Sequence, residues 1–188
     1  MTMNKEQAIR IIPADIAMAW GNKLEKGEDA PAPMMFSNME KFGFSKDEAD
    51  SIRSWAELFP IARKFKSEAM CRADEAEEEL HHIGKYGDPE KIIDLEITIF
   101  RERVEHDYST VWLLDKKRGG YNCVLINGSL DECKKWVADN HLEELTDITH
   151  DSDFCQWQLD YEIEHREENI EKRKKWLKSQ KIENNKEL

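Results

Sequence analysis

The sequence predicts an α+β fold, mainly α. Three observations carry that expectation. Apolar residues recur every three or four positions through most of the chain, the period of a helix with one buried face. Two S-x-x-E boxes, Ser45 with Glu48 and Ser129 with Glu132, mark helix starts. Only around residues 108–150 do short apolar runs of strand length appear, Val111–Leu114 and Cys123–Ile126.

The elements follow in order. Asn4 caps a short first helix that ends before Pro13, and Pro13 opens a second, from Ala14 to about Lys26. Ile16, Ala17, Trp20 and Leu24 are its expected core face. Gly27, Pro31 and Pro33 punctuate a loop. Met34 to Phe42 forms a short helix stopped by Gly43. The Ser45 box then starts a helix that buries Ile52, Trp55, Ala56 and Phe59 and is kinked or ended at Pro60.

Ile61 to about Ile83 reads as one long helix with an alanine-rich seam, suited to close packing. Asp88-Pro89 caps the next, which runs to His106. Here Leu95, Ile97 and Ile99 alternate with polar residues, as in a strand. Seven polar residues, Glu102 among them, nevertheless share one helical arc, so a helix fits better. Together these two helices make an antiparallel hairpin. Glu96 and Arg103 fall in the apolar arc of the second one, which implies a polar contact with a neighbouring helix or a partner.

A small β-β-α(-β) unit comes next. Thr110–Asp115 and Tyr121–Ile126 are strands joined by Lys116–Gly120, and Leu145–Thr149 is a third short strand. Between them, Leu130, Cys133, Trp136 and Val137 form the inner face of a helix. A charged helix from about Asp153 to Gln180 closes the chain, with Leu159, Ile163, Ile170 and Leu177 along its seam and a frayed tail from Ile182. The expected organisation is a helical region 1–107, the β-β-α(-β) unit 108–150, and the C-terminal helix and tail 151–188.

Charge bears most directly on function. Hydrophobic residues make up 39% and charged residues 36%, and the net charge is −12. Six Trp and seven Phe supply a core, so the chain is not of the disordered class. From Asp131 to Glu171, fourteen acids face only Lys134, Lys135 and Arg166, a balance of −11. From Lys172 onward seven bases face two acids, +5. Such a field repels nucleic acid and favours basic partners. No apolar run approaches the ~20 residues of a membrane span, and no apolar leader opens the chain, so the expected setting is soluble and cytoplasmic.

Several chemistries are disfavoured by spacing. Cys71, Cys123, Cys133 and Cys155 contain no C-x-x-C and read as reduced thiols. The Asn127-Gly128-Ser129 turn lacks a glycine-rich phosphate motif, and Asp131 and Glu132 already complement the helix dipole there, so this segment reads as scaffold. No G-x-S-x-G is present. Asn38–Trp55 resembles a helix-turn-helix around Gly43-Phe44-Ser45, but the helix in the recognition position opens Lys46-Asp47-Glu48-Ala49-Asp50, three acids that would repel phosphates. The same turn resembles that of ubiquitin-associated domains over a shorter stretch. The basic C-terminal segment with Trp176 suits RNA or an anionic surface in isolation, but reads better as a dipole-matched helix end.

The leading expectation is a non-enzymatic interaction module that binds a protein partner with a basic surface and needs no cofactor. Its most concrete form is an inhibitor that occupies a nucleic-acid-binding groove as a DNA mimic. The expected partner-binding residues are Asp139, Glu143, Glu144, Asp147, Asp151, Asp153, Asp160, Glu164, Glu167 and Glu168. An alternative is a small metal-dependent hydrolase using His81, His82 and nearby carboxylates, with Glu78 and His82 one helical turn apart; His150, Asp151 and Asp153 form a looser cluster. In the third reading, the chain is an accessory subunit whose charge serves solubility alone.

Overall fold

Ser45 and Glu48 form the expected reciprocal box: the Ser45 N–H donates to Glu48 Oε2 at 2.8 Å, and the Glu48 N–H to Ser45 Oγ at 3.3 Å. A computed structural model of the chain describes residues 5–30, 35–41, 43–114 and 121–184. The element order is α1 (Lys5–Glu25), α2 (Phe36–Lys41), α3 (Lys46–Lys64), α4 (Cys71–Ile83), α5 (Pro89–Glu105), β1 (Tyr108–Leu114), β2 (Tyr121–Ser129), α6 (Leu130–Asp139), β3 (Thr146–His150), α7 (Ser152–Glu164) and α8 (Arg166–Asn184). The fold is α+β and mainly α, with one three-stranded antiparallel sheet in the order β2-β1-β3. No helix among the described residues is long and apolar enough to cross a membrane. Asn4, the connection Lys116–Gly120, and residues 31–34 and 185–188 lie outside the described residues.

The chain groups into two compact units that are not consecutive segments. The first comprises Met1–Lys66, Val111–Ile126 and Val137–Ile148; the second comprises Ser67–Thr110, Asn127–Trp136 and Thr149–Leu188.

In the first unit α1 packs on α3. The boundary expected at Pro13 is corrected, and so is the helix end that is one of the two alternatives at Pro60. α1 runs unbroken through Pro13, and α3 continues through Pro60 to Lys64. A proline removes one backbone donor, and burial offsets that loss at Pro13, which is fully buried. The expected core face of α1 is met in part. Ala17 is buried as expected and Gly21 joins it, Ile16 and Trp20 are half-buried, and Leu24 is exposed. Gly21 lets the helices cross closely: a Cβ there would lie 2.7 Å from the Ala56 carbonyl oxygen and 2.9 Å from Phe59 Cβ. Ile52, Trp55, Ala56 and Phe59 form the buried stripe of α3, as expected.

In the second unit α4 and α5 make the helix hairpin, and α7 and α8 both pack on α5. Asp88 caps α5 with Pro89 at its first turn. Ala73 and Ala76 are buried along the seam of α4. The long helix expected over 61–83 is two helices, α3 and α4, and Ile61 is exposed. The cause of the break lies far along the sequence. Glu132 accepts from the Glu68 N–H at 2.7 Å, the Ala69 N–H at 3.0 Å and the Ser67 hydroxyl. Ser67 Oγ in turn accepts from the Met70 N–H at 3.1 Å, so the donors before α4 are satisfied by side chains.

The C-terminal helix is likewise two helices. The chain leaves α-helical geometry at His165, whose Nδ1 and backbone N–H both lie 3.0 Å from the Tyr161 carbonyl oxygen. The bend brings Leu159 of α7 and Ile170 of α8 into one buried cluster with Ile93 and Ile97 of α5. Ile163, expected in the seam, is 52% exposed. Glu102 is the reverse case: assigned to the polar arc of α5, it is 4% exposed, with Arg72 Nη1 at 3.2 Å.

Candidate partner-binding surface

The acids expected to meet a partner divide between the units. Asp139, Glu143, Glu144 and Asp147 belong to the first, and Asp151, Asp153, Asp160, Glu164, Glu167 and Glu168 to the second. All but Asp151 are exposed. Asp151 Oδ2 accepts from Thr110 at 2.9 Å and Thr149 at 3.3 Å, so this carboxylate serves the end of the sheet. Glu167 pairs with Arg166 at 2.7 Å and Glu168 with Lys172 at 2.7 Å. The Lys172 contact holds the Glu168 carboxyl below its ordinary range. Asp160 accepts from Gln156 at 2.8 Å, and the Asp147 carboxylate from its neighbour's Ile148 N–H at 2.9 Å. Asp139, Glu143, Asp153 and Glu164 meet no cation among the described residues.

α7 combines this charge with a feature the sequence reading missed. It carries Asp153, Asp160, Glu162 and Glu164 and no base. Along it Phe154 and Trp157 are each 59% exposed, and Tyr161 is 37% exposed. Their rings form a ladder with centroids 6.0 Å apart for Phe154–Trp157, 6.1 Å for Trp157–Tyr161 and 4.3 Å for Tyr161–His165. The spacing 154, 157, 161 is that of one helical face and is visible in the sequence. Covering Phe154 and Trp157 would stabilise a complex by roughly 2–3 kcal/mol each. Both rings also present faces on which an arginine or lysine can sit, with carboxylates nearby.

Part of the basic C-terminal segment is engaged inside the chain. Lys174 pairs with Glu90 at 3.1 Å and Glu171 at 3.5 Å, and Trp176 stacks on Tyr86 with centroids 5.6 Å apart. Arg166, just upstream, holds Asp94 at 2.8 Å.

The other sequence candidates are placed as follows. His82 Nε2 lies 3.7 Å from Glu78 Oε1, an exposed pair within α4. His150 Nε2 lies 3.7 Å from Asp107 Oδ1. No group of three or more His, Cys, Asp or Glu side chains converges on a metal-sized site among the described residues. Asn127-Gly128-Ser129 is the end of β2 rather than a loop, and the chain passes directly into α6. Its helix N-terminus is occupied by the protein itself, with Ser129 and Glu132 forming a second box and the Leu130 N–H donating to the Asp107 carbonyl at 3.1 Å. Arg103 pairs with Glu77 of α4 and lies over the Tyr108 ring, 4.6 Å from its centroid. Glu96 has no such pairing among the described residues. It lines a cleft with Arg173, and burial raises its carboxyl pKa, with Arg173 opposing the rise and Glu162 adding to it.

The four cysteines are free thiols. Burial raises Cys123 to about 11, and burial with the neighbouring Glu132 charge raises Cys133 to about 12.

Comparison with protein-family models, with curated proteins and with solved structures finds no match for this chain.

Proposed function

We propose that this chain is a non-enzymatic interaction module that docks a basic protein partner through the acidic, aromatic face of α7. One observation carries the reading. Two large rings stand more than half exposed on a helix with four acids and no base. Apolar aromatic surface draws a partner in, and unpaired carboxylates select one rich in arginine and lysine. A second copy of the chain is a poor occupant, because its own α7 brings the same negative charge. The most concrete form is an inhibitor that occupies a nucleic-acid-binding groove. There Asp153, Asp160 and Glu164 stand in for phosphates and the rings for stacked bases.

The test is capture from nuclease-treated lysate, with elution by a salt gradient. The expected partner carries a basic groove, elutes at moderate salt, and is not retained by a Trp157→Ala, Asp153→Asn, Asp160→Asn variant. A partner retained equally by wild type and variant would overturn the assignment to α7.

A further inference from the structure

The second unit holds a cleft of about 560 Å³ between α5, α7 and α8, which shares Tyr161 and Glu162 with the partner-binding helix but not Phe154, Trp157, Asp153 or Asp160. Its walls combine two kinds of surface. Ile93, Tyr161 and Trp176 are apolar or aromatic. Glu96, Arg173 and Lys85 are charged. The volume lies within the usual range for small-molecule sites.

Two charged groups of the cleft lack partners among the described residues; Arg103 Nε is also buried without an acceptor, but Arg103 pairs with Glu77 through Nη2. Arg173 Nε is buried and donates to no acceptor among the described residues. Glu96 is half-buried on α5, close enough to feel Arg173, yet it makes no hydrogen bond or ion pair among the described residues. Buried polar groups are ordinarily satisfied, and a buried, unsatisfied Nε on Arg173 facing the same cleft as a half-buried carboxylate is costly to leave so. The other charges there are already engaged. Glu162 accepts from Asn169 at 2.9 Å, and Lys172 pairs with Glu168 at 2.7 Å.

A simple anion would satisfy Arg173 and be repelled by Glu96. A simple cation would do the reverse. A ligand carrying both charges satisfies both groups. We infer that this cleft binds a free aromatic α-amino acid, its carboxylate on Arg173 and Lys85, its ammonium on Glu96, and its ring against Tyr161, Trp176 and Ile93. Recognition of this kind resides in the pairing of two opposite charges with one apolar wall, so removing either ligand charge should weaken binding sharply.

The experiment is isothermal titration of the whole chain with L-phenylalanine, 3-phenylpropionate and phenethylamine. Saturable binding of L-phenylalanine is expected, with both single-charge analogues at least roughly tenfold weaker. The Glu96→Gln, Arg173→Gln double variant should keep the wild-type helical circular dichroism and lose the L-phenylalanine signal. Lys85 is an exposed loop residue, so Lys85→Met tests the site without touching the core. It should weaken L-phenylalanine and leave phenethylamine unchanged. No saturable heat with L-phenylalanine up to about ten millimolar would overturn the inference. So would analogues that bind equally well, or undiminished binding by either variant. Because none of the α7 substitutions proposed above lines this cleft, a failed partner capture and a failed titration are separate outcomes.

Discussion

The carboxylate of Glu132 accepts the backbone N–H of Ala69 at 3.0 Å, across 63 positions of sequence. The same side chain accepts from the N–H and hydroxyl of Ser129, each at 3.0 Å. One glutamate therefore closes the start of α6 and the approach to α4 together. Burial by itself would raise its pKa, and the hydrogen bonds from Ser67, Ser129 and Ala69 outweigh burial and bring it down to about 2.

Glu132→Gln should therefore destabilise the fold, and more so at neutral pH than in acid. The depressed carboxyl contributes stability that is fully present above its unfolded value of 4.5 and is lost as pH falls toward about 2. The expected loss at pH 7 is on the order of 2–3 kcal/mol. Urea unfolding of wild type and variant at pH 7 and pH 3 checks this. A difference that did not shrink at the lower pH would count against the role given to the carboxylate.

Gly21→Ala should cost ~1–3 kcal/mol, because the added methyl meets the Ala56 carbonyl and Phe59 of α3. Gly27 has a positive φ of 69° and open space around it, so Gly27→Ala should act through backbone conformation alone. Thermal melts of the two variants, with Gly27→Asn as a milder partner for the second, separate packing from backbone strain.

Thiol labelling at pH 8 should modify Cys71 first, since it alone of the four is exposed. Cys133 and Cys155 are buried, and Cys123 is held mostly protonated by burial. One fast equivalent followed by labelling that tracks unfolding is the expected time course. Mass mapping of the fast site checks it.

Much of this fold was legible where the signal is local. Both S-x-x-E boxes, the Asp88-Pro89 start and the α3 stripe need only neighbouring residues, and all are present. The errors fall where a distant group decides. Near the break only Ser67 is a local signal, accepting from the Met70 N–H, and the donors of Glu68 and Ala69 are satisfied by the distant Glu132. The bend at His165 similarly reflects what α5 buries, Leu159 on one side and Ile170 on the other. Pro13 signals a helix boundary and Pro60 a kink or an end, and continuous helices carry both prolines.

The candidate surface was half legible. Counting charge locates the acids, but not that Asp151 is tied to Thr110 or Glu168 to Lys172. The ring spacing on α7 was visible as well. That these rings face solvent depends on which side of α7 packs against α5, and periodicity alone does not choose between an apolar stripe and an aromatic one.

Single substitutions on the ladder should leave the fold intact. Trp157→Ala and Phe154→Ala remove rings that are 59% exposed, so each should shift stability by less than ~0.5 kcal/mol. Chemical denaturation measures this. A larger loss would mean that the rings serve the fold.

The central claim is that α7 recognises a basic partner through charge and aromatic surface together. Its most direct test is the affinity of the captured partner for wild type and for the Trp157→Ala, Asp153→Asn, Asp160→Asn variant, measured from about 50 to 500 mM salt. Wild-type affinity is expected to fall steeply with salt, and the variant to be weaker at low salt with a shallower dependence. Affinity that is insensitive to salt, or identical in the two proteins, would contradict it.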